Sequence, residues 1–139
     1  MKKFVSISGP DGVGKTSTIA VLHKNTNYTY VIYDRDIPDQ ICYAKLAHRN
    51  IDSEWETYMI NNTNQLYVIL NADIEKIKER MKNRNDSFVP EGTTLEQAVE
   101  YFKGYKNSTS DNIFYIDNTN LTVEEVVQLI LNKLQFKAQ

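Results

Sequence analysis

The stretch Phe4-Val5-Ser6-Ile7-Ser8-Gly9-Pro10-Asp11-Gly12-Val13-Gly14-Lys15-Thr16-Ser17-Thr18-Ile19-Ala20-Val21-Leu22 decides the fold. Residues 9–16 fit G-x-x-x-x-G-K-[ST], the phosphate-cradling P-loop. The apolar run Phe4–Ile7 predicts a buried strand before it, and Thr18–Leu22 predicts a helix after it. Strand, glycine loop and helix are the context that gives the motif meaning. Gly9, Gly12 and Gly14 free the backbone to bring successive N–H groups inward as an anion nest. The helix start adds unpaired N–H groups and the positive end of its dipole. Lys15 supplies a mobile cation for β- and γ-phosphates, and the Thr16 hydroxyl is placed for Mg²⁺. Pro10, Asp11, Val13 and Ser17 complete a segment expected to wrap a triphosphate tail.

Length and composition bound the rest. A chain of 139 residues predicts one domain spanning 1–139 with an independent core. Hydrophobic residues make up 41% and charged residues 24%, ordinary for a globular protein. The formal net charge of −2 argues against broad electrostatic capture of nucleic acid. The single cysteine, Cys42, excludes an intrachain disulfide and sits in an apolar helical stretch, where a buried, inert thiol is expected. No run approaches the length of a membrane span, and Met1-Lys2-Lys3-Phe4 leads into the first strand without a signal-peptide core. The expected location is the cytoplasm.

Four apolar runs predict strands: Phe4–Ile7, Tyr28–Tyr33, Leu66–Leu70 and Ile113–Ile116. Each is nearly continuous rather than alternating, the pattern of strands covered on both faces of a parallel sheet. Helical periodicity between them predicts crossover units. The fold class is therefore α/β, a three-layer P-loop arrangement with a small parallel sheet of about four strands. Helices are expected over 38–50, after a capping box at Ser53, after Asp73, after a second box at Thr94, and after a third at Thr122. The segment 84–93 is polar, carries Pro90 and Gly92, and is expected to be a loop that serves as a lid.

A P-loop requires a carboxylate at the end of a neighbouring strand to hold Mg²⁺. Tyr30-Val31-Ile32-Tyr33-Asp34 ends in such a residue, and Arg35 follows at once. Parallel strands deliver their carboxyl ends to one edge, so Asp34 and Lys15 are expected to meet around a single metal–phosphate cluster. Arg80 and Arg84, four apart, share a helix flank leading toward the lid. His23 and His48 lie away from any acidic or cysteine cluster, and no role is assigned to them.

Gly9–Thr16, with an acid at Asp11, resembles the P-loop of thymidylate kinases. Asp34-Arg35 followed by Tyr43 is similar to their Asp-Arg motif. The stretch 66–73 with Arg80 and Arg84 resembles their next strand, helix and arginine-bearing lid, and 113–134 resembles their last strand and helix. The resemblance implies that Lys15 and the loop amides hold ATP and that Asp11 meets the sugar of an acceptor nucleotide. It implies that Arg35 bridges the acceptor and the transferred group, with Tyr43 on the substrate side. It also implies that Arg80 or Arg84 closes over the phosphates and that 118–121 borders adenine. Related kinases often pair as dimers, so an exposed Trp55 or Tyr58 would mark an interface.

One departure is plain. Only 19 positions, 34 − 15, separate Lys15 from Asp34, where thymidylate kinases insert a strand and helices carrying acceptor-binding residues. Tyr43, Trp55 and Tyr58 are available as a substitute stacking surface, although aromatics at helical spacing usually pack in a core. The expected function is an ATP- and Mg²⁺-dependent phosphotransferase acting on a small nucleotide, with a deoxynucleoside monophosphate favoured. A monophosphate is already ionised near neutral pH, with a second pKa of about 6, and needs cations rather than a base. Two alternatives stand beside it: a nucleotide-binding module without transfer activity, and a deoxynucleoside or 5′-polynucleotide kinase.

Overall fold

A computed structural model describes residues 2–83 and 95–136. Its sheet has four parallel strands: β1 (Phe4–Ser8), β2 (Val31–Asp34), β3 (Gln65–Asn71) and β4 (Ile113–Asp117), in the order β2-β1-β3-β4. The helices are α1 (Lys15–Asn25), α2 (Ile37–Leu46), α3 (Glu54–Asn61), α4 (Ile74–Asn83), α5 (Leu95–Lys103) and α6 (Val123–Leu134), with a short 3₁₀ turn after α5. The expected three-layer α/β P-loop arrangement is present.

The strand β3 shows why the layers form. Every residue in it is buried. Leu66, Val68 and Leu70 point to one face, where Leu22 of α1 and Val126, Val127 and Ile130 of α6 join them. Tyr67 and Ile69 point to the other, among Ile41 and Cys42 of α2, Met59 of α3 and Phe102 of α5. The two-residue period of a strand thus feeds two cores, and a continuous apolar run is what such a strand requires. Burial pushes the Cys42 thiol up to about 12, consistent with the inert role expected of it.

The second predicted strand departs from expectation in start and setting. It begins at Val31 rather than Tyr28 because the chain first completes a turn after α1, with Asn27 and Tyr28 at positive φ. It is an edge strand, and three of its four residues are exposed. The helix predicted over 38–50 starts one residue earlier and ends at Leu46. On α3 the N-terminal amide of Glu54 donates to the Asp52 carboxylate at 2.9 Å, so Asp52 and not Ser53 supplies the cap. Core packing for the aromatics of this helix is overturned. Trp55 is 45% and Tyr58 60% exposed, and Met59 alone on α3 is buried. The proposed lid, Arg84 and the Thr94 box lie outside the described residues.

The capping box at Thr122 forms as predicted. The Glu125 amide donates to the Thr122 hydroxyl at 3.1 Å, and the Thr122 amide donates to the Glu125 carboxylate at 3.0 Å. Thr122→Ala is expected to cost about 1 kcal/mol of stability, read as a lower urea midpoint with an unchanged slope. An unchanged midpoint would show that α6 is held by its packed face alone.

Candidate active site

The site lies at the carboxyl edge of the sheet. The loop from β1 to α1 carries positive φ at Gly9 (148°), Gly12 (80°) and Gly14 (100°). A Cβ on Gly9 would run into the Leu70 carbonyl of β3, so glycine is required there by close approach as well as by dihedral angle. Gly14 is the N-cap of α1 and supplies no capping side chain, which leaves the first amides of an 11-residue helix for another partner.

Lys15 is buried, and its Nζ donates to the carbonyls of Gly9 (2.8 Å) and Pro10 (2.9 Å). The ammonium is thereby folded back along the loop. Burial pushes its pKa down and the nearby Arg35 adds to this, partly offset by Asp39, Asp11 and Asp34. Thr16 and Ser17 are exposed on the first turn of α1.

Register brings the second element alongside. Strand β2 pairs with β1 so that Asp34 lies opposite Ile7, and the Arg35 amide donates to the Ile7 carbonyl at 3.0 Å. Asp34 is exposed at the strand end. Arg35 sits at φ 74°, a left-handed conformation unusual for a side-chain-bearing residue. Its guanidinium then reaches Asp11 in the loop at 2.6 Å, and it also lies over the Tyr43 ring, 5.9 Å from the centroid. Lys15, Asp11, Asp34, Arg35 and Tyr43 therefore converge on one edge.

Sequence reasoning missed Asp39. This carboxylate is 3% exposed and accepts from the Gly9 amide at 3.2 Å and from the Asp36 amide at 2.9 Å. It is the third helical residue of a capping box opened by Asp36, whose own carboxylate accepts from the Ile37 amide at 2.7 Å. Asp36-Ile37-Pro38-Asp39 carried the signal, a cap residue followed by proline and an acid in the first turn. Its unusual Asp in place of Glu or Gln at the third position hid it. Burial raises the Asp39 pKa; the neighbouring Ser8 hydroxyl, the Asp36 and Gly9 amides and the charge of Lys15 only partly oppose this.

Two cavities flank the loop. One, about 690 Å³, opens beyond Asp34 and Arg35; one face of α2 (Asp39, Gln40, Tyr43) lines it together with Arg49 and Trp55. The other, about 290 Å³, lies between Gly12–Thr18 and the segment after β4. Arg80 lines the second. Its guanidinium donates to the side-chain and backbone oxygens of Asn118, both at 3.0 Å, and Asn118 Nδ2 donates to the Val13 carbonyl at 2.8 Å. Arg80 is thus anchored beside the 118–121 segment.

The fold is a three-layer parallel α/β P-loop arrangement, and the resemblance to thymidylate kinases is borne out at the level of the fold. No protein-family model matches the sequence, and no curated protein matches it. Among solved structures the chain is similar to the YorR protein from Bacillus subtilis in complex with phosphorylated GDP, with a TM-score of 0.73, 18% identity and 95% of each chain covered. It is also similar to deoxyadenosine kinase from M. mycoides with bound dATP, with a TM-score of 0.65, 18% identity, and 96% of this chain and 100% of that one covered. Thymidylate kinase from Candida albicans gives a TM-score of 0.65 at 14% identity, covering 96% and 91%. Among the described residues no helix is long and apolar enough to cross a membrane.

The environment of Asp39 makes a testable statement about stability. The folded chain holds the Asp39 proton to higher pH than the unfolded chain does. Folding free energy must therefore weaken as pH rises from about 4, the ordinary aspartate value, through the raised native value. Asp39→Asn removes this contribution. The wild-type minus variant difference in unfolding free energy, measured by urea titration at successive pH values, is expected to fall across that window and level off above it. A difference that rose with pH would show that Asp39 is stabilised as the anion.

Proposed function

We propose that this protein is a Mg²⁺-ATP-dependent phosphotransferase acting on a small nucleotide-type acceptor, with a deoxynucleoside monophosphate as the leading candidate. One observation carries the reading: the glycine loop, Lys15 and the Asp34–Arg35 strand end share one edge, and a cavity large enough for a second substrate opens beside them. Gly9, Gly12 and Gly14 add no side chains of their own over the loop amides, and Lys15 is within reach of whatever the loop holds. ATP fits this cradle, with its base toward the cavity bordered by Asn118, Leu121 and Arg80.

Magnesium fits as well. Mg²⁺ in phosphotransferases takes one or two protein ligands and completes its shell with phosphates and water. Thr16 and the exposed Asp34 supply that donor set, and no group of three or more described His, Cys, Asp or Glu residues forms a cage by itself. When bound, the metal would neutralise phosphate charge. Lys15 would leave the Gly9 and Pro10 carbonyls to neutralise the transferred group. Arg35, braced by Asp11, would orient the acceptor. Arg80 would hold the base-side loop in place, and Arg84 is retained as a lid candidate.

A hydroxyl acceptor is the second reading, and a specific observation favours it. The acceptor cavity is lined by the carboxylates of Asp34, Asp36 and Asp39, and the charge of Arg35 is already paired with Asp11. Carboxylates repel an incoming phosphate but suit a group that must lose a proton. A transfer assay with labelled ATP against nucleosides, monophosphates and 5′-hydroxyl oligonucleotides decides between the acceptors. Lys15→Ala is expected to lower transfer by at least about 10²-fold while the circular dichroism spectrum is retained. Undiminished transfer would sink the mechanism, and ATP binding without transfer to any acceptor would leave a nucleotide-binding module.

A further inference from the structure

We propose that Trp55, assisted by Arg49, forms a nucleobase-binding wall in the cavity beyond Asp34, so that the acceptor is recognised by its base on residues outside the phosphate machinery. This deepens the kinase reading and rests on it for the word acceptor, but not for the binding itself.

The volume is the first consideration. At about 690 Å³ the cavity far exceeds what a lone phosphate would occupy and falls within the usual range for small-molecule sites. The second is what lines it away from the loop. Trp55 and Tyr43 contribute aromatic rings, Arg49 a guanidinium, and Gln40 and Asn50 carboxamides. Flat π-surfaces with amide and guanidinium donors at the rim are the chemistry that binds bases, by stacking and by hydrogen bonds to their edges.

The third consideration is that, among the described residues, no core cluster takes up Trp55 and no ion pair takes up Arg49. Trp55 belongs to neither hydrophobic cluster and remains 45% exposed at the cavity, although tryptophan is costly to leave in water. Arg49 is exposed and makes no ion pair among the described residues. Arg49 comes from the segment joining α2 to α3 and Trp55 from the first turn of α3. The connection between α1 and β2 is only a turn, so the wall is built from a different part of the chain.

The chain has one tryptophan, so its fluorescence reports Trp55 alone. The test titrates the full chain, its donor site saturated with Mg²⁺ and a non-hydrolysable ATP analogue. The probes are the four deoxynucleosides, their 5′-monophosphates, and 2-deoxyribose 5-phosphate as a baseless control. Saturable quenching by at least one base-bearing probe, and none by the control, is expected. Trp55→Ala is expected to raise the acceptor KM or Kd about tenfold or more with KM for ATP unchanged. Trp55→Phe, which keeps the stacking face, should stay within about threefold, and thermal melts of both variants check that the fold is intact. Absence of quenching by every probe overturns the proposal whatever the transfer assay shows, as does equal quenching by the baseless control or an acceptor constant indifferent to Trp55→Ala. Quenching without any phosphoryl transfer upholds the base wall and removes the kinase reading. Transfer without quenching does the reverse.

Discussion

The parallel register that sets Asp34 beside Ile7 is the constraint on which the site depends. A one-residue slip would move Asp34 away from the loop and turn the alternate side chains of β2 to the opposite face. The register is fixed on the inner side, where β1 runs between β2 and the fully buried β3. Strand β1 therefore has little freedom, and the loop that leaves it inherits that rigidity. Gly9 then passes so close to the Leu70 carbonyl that no side chain is admitted.

Two polar contacts tie the loop to the next unit of the chain. Asp39 accepts from the Gly9 amide, and Asp11 accepts from the Arg35 guanidinium. Both partners lie in the short segment where β2 turns into α2, and the left-handed backbone at Arg35 aims its side chain back at the loop. A buried carboxylate here is costly, as its raised pKa records. It is held by two backbone amides and faces a lysine, so its cost is offset by the element it organises. Lys15, Asp39, Asp11 and Arg35 form an alternating set of charges in which moving one disturbs the others.

On either side of this set the chain offers different chemistry. The smaller cavity is bordered by Asn118, which links Arg80 to the Val13 carbonyl and so fastens α4, the post-β4 segment and the glycine loop together. The larger one combines the carboxylates near the strand end with the rings of Tyr43 and Trp55.

The glycine loop, the parallel α/β class, the inward faces of α5 and α6 and the placement of Asp34 and Lys15 at one edge of the sheet were legible in the sequence. Each is written in local chemistry: glycine spacing, continuous apolar runs, helical periodicity and the rule that parallel strands end on the same side. Tertiary structure alone decided the rest. Burial of Asp39 depends on the start of α2 meeting Gly9, a contact between residues 30 positions apart that no periodicity reports. The exposure of β2 follows from its place at the sheet edge, because an apolar run reads the same on an edge as in the centre. Trp55 shares an amphipathic-looking pattern with Met59, yet only Met59 meets the core. Helical spacing says which residues share a flank, whereas the packing of α3 against α2 sets which part of that flank finds a neighbour.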